Sequence, residues 1–196
     1  MQPLDVFADG LGVDRDAILA PRVAGTVIAV AATVGDNALW DRYVARMQQA
    51  QASDTQEEAR FRQGLIFFED PQLAERTAEA IFSPIIRGQD RGLMLIPMMQ
   101  SRRTRLAAWK AVKKHWDSDI AGTDLAPLLK QGYVTAVSQL TQRGLEEEAA
   151  AFLEAKRTPD IQETVAQSLE RLRINTAAAE RLADELGDAL RVPTPS

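Results

Sequence analysis

The stretch Asp70-Pro71-Gln72-Leu73-Ala74-Glu75-Arg76-Thr77-Ala78-Glu79-Ala80-Ile81-Phe82-Ser83-Pro84 decides the fold class. An aspartate before a proline is a helix start: the carboxylate accepts from free backbone N–H groups, and proline fits the first turn, where its missing N–H costs nothing. Leu73, Ala74, Thr77, Ala78, Ile81 and Phe82 then recur at helical spacing and define one buried face. Pro84 ends the segment. A start, a stripe and a stop within 15 residues predict an amphipathic helix.

The same grammar runs outward in both directions. Upstream, Val23 to Val34 is almost continuously apolar, with Pro21 suited to the first turn and Gly35 to a C-terminal cap, so a buried helix is expected. Asp36 caps a second helix whose Leu39, Trp40, Tyr43, Val44 and Met47 share a stripe, and the short connection makes the two antiparallel neighbours. Ser53 with Gln56, or Asp54 with Glu57, forms a capping-box pattern ahead of Phe61, Leu65 and Phe68.

Downstream, Asp90 is the expected cap of a helix carrying Leu93, Met94, Ile96 and Met98, which Pro97 should kink or shorten. Ser101 opens a basic helix with Leu106, Trp109, Val112 and Trp116 on its apolar side. Leu125, Leu129, Tyr133, Ala136, Val137 and Leu140 repeat the pattern. After Gly144, Glu146, Glu147 and Glu148 occupy a first turn and Lys156 and Arg157 a last one, as the helix dipole favours. Thr158-Pro159 begins the longest helix, roughly 45 Å at 1.5 Å per residue, with Ile161, Val165, Leu169, Leu172, Ala179, Leu182 and Leu186 inward.

About nine helices in short hairpins, with no segment reading as a strand, predict an all-α fold, an irregular αα-superhelix of HEAT-like hairpins. The 196 residues are the length of one ordinary domain, so 1–196 is read as a single helical domain, with 1–16 and 192–196 expected to be poorly ordered.

Composition narrows the chemistry. The formal net charge of -5 disfavours polyanion binding as the main task. With no cysteine, disulfides, thiolate metal sites and a Cys nucleophile are excluded. The N-terminus lacks a basic region followed by an apolar stretch, and Val23 to Val34 is too short to span a bilayer, so neither a signal peptide nor a membrane anchor is read here and the compartment stays open.

Catalytic constellations are missing. Zinc hydrolases need three protein ligands, typically two imidazoles and a carboxylate, and this chain has one histidine, so no H-E-x-x-H can be written around His115. His115 is read as a helix-end residue. No G-x-S-x-G elbow supports serine chemistry, and Gly10-Leu11-Gly12 lacks the strand and lysine of a phosphate loop. Met94, Met98 and Met99 are read as core filler.

The basic run Arg102, Arg103, Arg105, Lys110, Lys113 and Lys114, interleaved with Trp109 and Trp116, invites a nucleic-acid reading. Its register places both tryptophans with the apolar residues, which favours a core role for the rings and a solvated or interdomain face for the charges.

Four pieces in order carry a resemblance: Phe68-Glu69-Asp70-Pro71-x-Leu73, Ile86-Arg87-Gly88-Gln89-Asp90, Ala108-Trp109 with His115-Trp116-Asp117, and Ser168-Leu169-Glu170-x-Leu172-Arg173-x-Asn175. In spacing they resemble the C-terminal domain of gluzincin zinc aminopeptidases, the family of aminopeptidase N and the endoplasmic-reticulum aminopeptidases, from about Pro21 to Leu186. His115 departs from the asparagine usual before that tryptophan, and Pro97 is unusual inside its helix. The family's H-E-x-x-H and its G-A-M-E-N loop are nowhere in the chain.

The resemblance implies a noncatalytic helical domain that closes over a zinc-bearing catalytic domain of the same parent and walls the chamber for the peptide substrate. No cofactor, nucleic-acid or membrane role is expected in this chain. Arg87 and Lys130 are the candidate chamber residues by that resemblance. Asp70, Pro71, Arg87, Gln89, Asp90, Trp109 and Trp116 are family-signature positions with structural roles expected: Asp90 as a cap, Arg87 pairing with Asp90 or Asp70. The alternative reading is a stand-alone helical scaffold for a protein or peptide partner.

Overall fold

The computed structural model describes residues 21–121, 127–142 and 144–190. Among them are nine α-helices and no strand, so the all-α expectation holds. The helices are α1 (Pro21–Thr33), α2 (Asn37–Ala50), α3 (Thr55–Gly64), α4 (Pro71–Ile81), α5 (Arg91–Gln100), α6 (Arg105–His115), α7 (Pro127–Ala136), α8 (Leu145–Ala155) and α9 (Gln162–Ala189). Short 3-10 turns follow α3 and α7 and precede α5, and a π-helical turn, Trp116–Ile120, follows α6. The termini 1–16 and 192–196 and the stripe residue Leu125 lie outside the described residues. The chain divides into two compact units, 1–85 and 86–196, each with its own core.

In the first unit three aspartates start three helices. Asp36 accepts from the Leu39 amide at 2.8 Å, Asp54 from Gln56 and Glu57 at 2.9 and 3.0 Å, and Asp70 from Gln72 and Leu73 at 2.9 and 3.1 Å. Asp54, rather than Ser53, is therefore the cap of α3. Each carboxylate satisfies amides that the first helical turn leaves without a partner.

The core of this unit is built around Tyr43. Its ring meets Phe61 and Phe68 edge-on, with centroids 5.3 and 5.4 Å apart, and its hydroxyl donates to the Ile28 carbonyl of α1 at 2.8 Å. Trp40 donates to Thr77 at 2.9 Å, and Thr77 donates onward to the Leu65 carbonyl at 3.2 Å, which ties α2, α4 and the 3-10 turn together without an orphaned polar atom. Gly35 serves this core by size. Its φ is not positive, so it is not a left-handed cap; a Cβ there would sit 2.5 Å from Phe68 Cε1.

In the second unit α5 packs against α6 and α7, and α9 lies against α7, its following turn and α8. Met94, Leu95, Met98 and Met99 are buried, as the core-filler reading expects. Helix α5 runs through Pro97 and ends three residues later at Gln100. Helix α6 begins at Arg105, not Ser101, because Ser101 caps the end of α5 and residues 102–104 form a turn. Leu106 is exposed rather than on the apolar side.

The long helix α9 spans 28 residues. Ile161, Val165, Leu169 and Leu172 are buried as expected, but Leu182 and Leu186 are 59% and 60% exposed. The helical period continues past the elements that cover the first half of the helix. Asn175 anchors the middle of the helix, its amide donating to the Ser138 carbonyl at 2.9 Å.

Candidate functional site

The Arg87–Asp90 turn is one of the four pieces that carry the resemblance. Gly88–Asp90 is a 3-10 turn leading directly into α5. Asp90 occupies the residue before α5, as expected, but it has φ -90 and its side chain makes no capping hydrogen bond. The cap reading of its carboxylate is therefore corrected. As the last residue of the 3-10 turn, Asp90 is itself in helical conformation, which turns its side chain away from the α5 amides. The carboxylate instead faces Arg87, with Nε to Oδ2 at 3.8 Å, in a pair of which Arg87 is 44% and Asp90 12% exposed. Gln89 lies on the exposed side of the same turn.

Just past the turn, Gly92 lets α5 approach α7. A Cβ at Gly92 would lie 2.6 Å from Leu129 Cδ2, on the helix that also carries Lys130. The neighbouring Tyr133 hydroxyl is buried with no hydrogen-bond partner among the described residues, and burial pushes its phenol up to about 12. Lys130 is nearly buried and donates to Asp160 Oδ2 at 3.0 Å. Hydrogen bonds from Thr158 and then Lys130 hold the Asp160 carboxyl below its usual range. Lys130 therefore pins α7 to the residues that lead into α9.

Asp70 and Pro71 start α4, with the capping bonds given above. Trp109 and Trp116, seven residues apart, close on a single ring: Phe152 of α8 meets Trp109 at 5.1 Å and Trp116 at 5.5 Å between centroids, both edge-on. Both indoles are buried, so they are core and not stacking platforms. The Trp109 indole N–H donates to Glu148 Oε1 at 2.9 Å, and Lys113 binds the same oxygen. Arg105, also in the basic run, is buried and donates to the carbonyls of Ser101, Gln100 and Gln139. Its guanidinium thus satisfies carbonyls at the end of α5 and in the turn after α7.

The sequence reading missed a cluster at the π-helical turn. Asp119 accepts from Ser118 Oγ at 2.6 Å and from Arg91 Nη1 at 3.0 Å, and its Oδ2 lies 3.1 Å from His115 Nδ1. The Ser118 hydrogen bond foremost, with His115 and Arg91, lowers the Asp119 carboxyl below the usual range. The i, i+4 spacing of His115 and Asp119 was a legible signal; Arg91, 28 residues away, was not. A serine, a histidine and an aspartate meet here, but the serine donates to the aspartate. Ser118 and His115 both converge on the same carboxylate oxygen, Asp119 Oδ2.

Among the described residues no group of three or more His, Cys, Asp or Glu side chains is placed to hold a metal ion, and no helix is long and apolar enough to cross a membrane. With a single histidine in the whole sequence, a two-imidazole zinc site does not fit this chain.

Comparison with known proteins shows the family to which the chain is similar. Residues 4–174 match the ERAP1-like C-terminal domain. The chain belongs to that family. It is also 31% identical over 139 residues to aminopeptidase M1-A of Oryza sativa subsp. japonica. That alignment takes in 70% of this chain and 16% of the rice protein, so the ERAP1-like domain is matched to a minor part of a much longer relative.

Within the family's frame the last signature becomes intelligible. Ser168, Leu169 and Leu172 are buried, and Asn175 bonds to the turn after α7. All four lie on the face of α9 that the domain covers.

Proposed function

We propose that this chain acts as the noncatalytic C-terminal domain of a zinc-dependent M1-type aminopeptidase, closing over the active site of the catalytic domain and walling the chamber that receives the peptide. The observation that carries the reading is the family match across residues 4–174, joined to the likeness with a rice aminopeptidase. Zinc, when bound in the catalytic domain of such an enzyme, would polarise the scissile carbonyl and activate water. This chain would supply no ligand to it.

A helical lid acts by exclusion. It removes bulk water from a site on its partner and admits peptides by size and position, without contributing a nucleophile or base. Of the two chamber candidates, Arg87 is the better placed, because it is half-exposed while Lys130 is nearly buried and held by Asp160. An arginine at that wall would offer its planar guanidinium to peptide carboxylates or carbonyls.

Replacing Arg87 by alanine in the full-length enzyme tests the placement. A changed preference among peptides of different length, with hydrolysis of a small aminoacyl anilide retained, is the expected result. Lost stability with unchanged peptide preference would sink the chamber role and leave Arg87 as a structural partner of Asp90.

A further inference from the structure

We draw no further inference here: the strongest candidate, the exposed stripe of Leu182 and Leu186 along the C-terminal half of α9, continues that helix's buried face past residue 174, where the family match ends, and nothing in the structure shows what covers it.

Discussion

Trp109 and Glu148 lie 39 residues apart and share a 2.9 Å hydrogen bond from indole nitrogen to carboxylate oxygen, with the indole buried. The bond joins α6 to the first turn of α8, directly over the Trp109–Phe152–Trp116 ring cluster. Lys113 shares the carboxylate, but that pair is a third or more exposed on both sides and adds little, in the range of about 0–1 kcal/mol.

Glu148→Ala should therefore cost about 1–3 kcal/mol, chiefly because a buried indole N–H is left without an acceptor. Glu148→Gln keeps an acceptor and should cost less. Urea unfolding of the two variants, with Trp109→Phe as the third corner of a double-mutant cycle, checks the assignment; equal losses from both would show that charge, not the indole bond, dominates.

Acid should weaken the second unit at its π-helical turn. Asp119 is held below its ordinary value by Ser118, His115 and Arg91, so the folded chain binds its proton less readily than the unfolded chain. The stability this gives is complete above the unfolded value of 3.8 and is lost as pH falls through the lowered folded value. Asp119→Asn should flatten the pH dependence of stability below about pH 4, the ordinary carboxylate range. An unchanged acid slope in the variant would remove Asp119 from the account.

Two glycines should respond to alanine for different reasons. At Gly35 the new methyl meets Phe68 Cε1 at 2.5 Å, so overpacking of about 1–3 kcal/mol is expected, and Phe68→Leu in the same chain should recover part of it. At Gly144 nothing lies within 4 Å, but φ is +83°, so alanine should cost about 1 kcal/mol through backbone strain that no neighbouring substitution relieves. Thermal melts of the single and double variants distinguish the two mechanisms.

Along α9 the same residue type should behave in two ways. Leu172→Ala empties a fully buried position and should cost about 2–5 kcal/mol, whereas Leu182→Ala, at an exposed position, should stay within about 0.5 kcal/mol of the parent chain. Comparable losses at both sites would mean that the helix is covered along its whole length.

That contrast also marks the limit of what the sequence made legible. Local signals were readable because their cause is local: Asp36, Asp54 and Asp70 cap helices with their own amides, and the stripe from Leu73 to Ile81 needs only helical spacing. Trp109 and Trp116 were readable as core for the same reason. Leu182 and Leu186 were misread because periodicity says which face is apolar and not where the neighbouring helices stop. Leu106 was misplaced because, at 3.6 residues per turn, it falls at the edge of the stripe that Trp109, Val112 and Trp116 define. The Asp119 cluster escaped because Arg91 arrives from a different helix. At Asp90 the residue's position was legible and its conformation was not, since the 3-10 turn that it ends redirects the carboxylate toward Arg87.

The central claim, a domain that serves an aminopeptidase without performing the chemistry, is tested most directly by assaying the purified 196-residue chain on aminoacyl anilides with and without added zinc. The expected result is no hydrolysis above that of zinc alone at any protein concentration. Zinc-dependent turnover that scales with the amount of chain would contradict it.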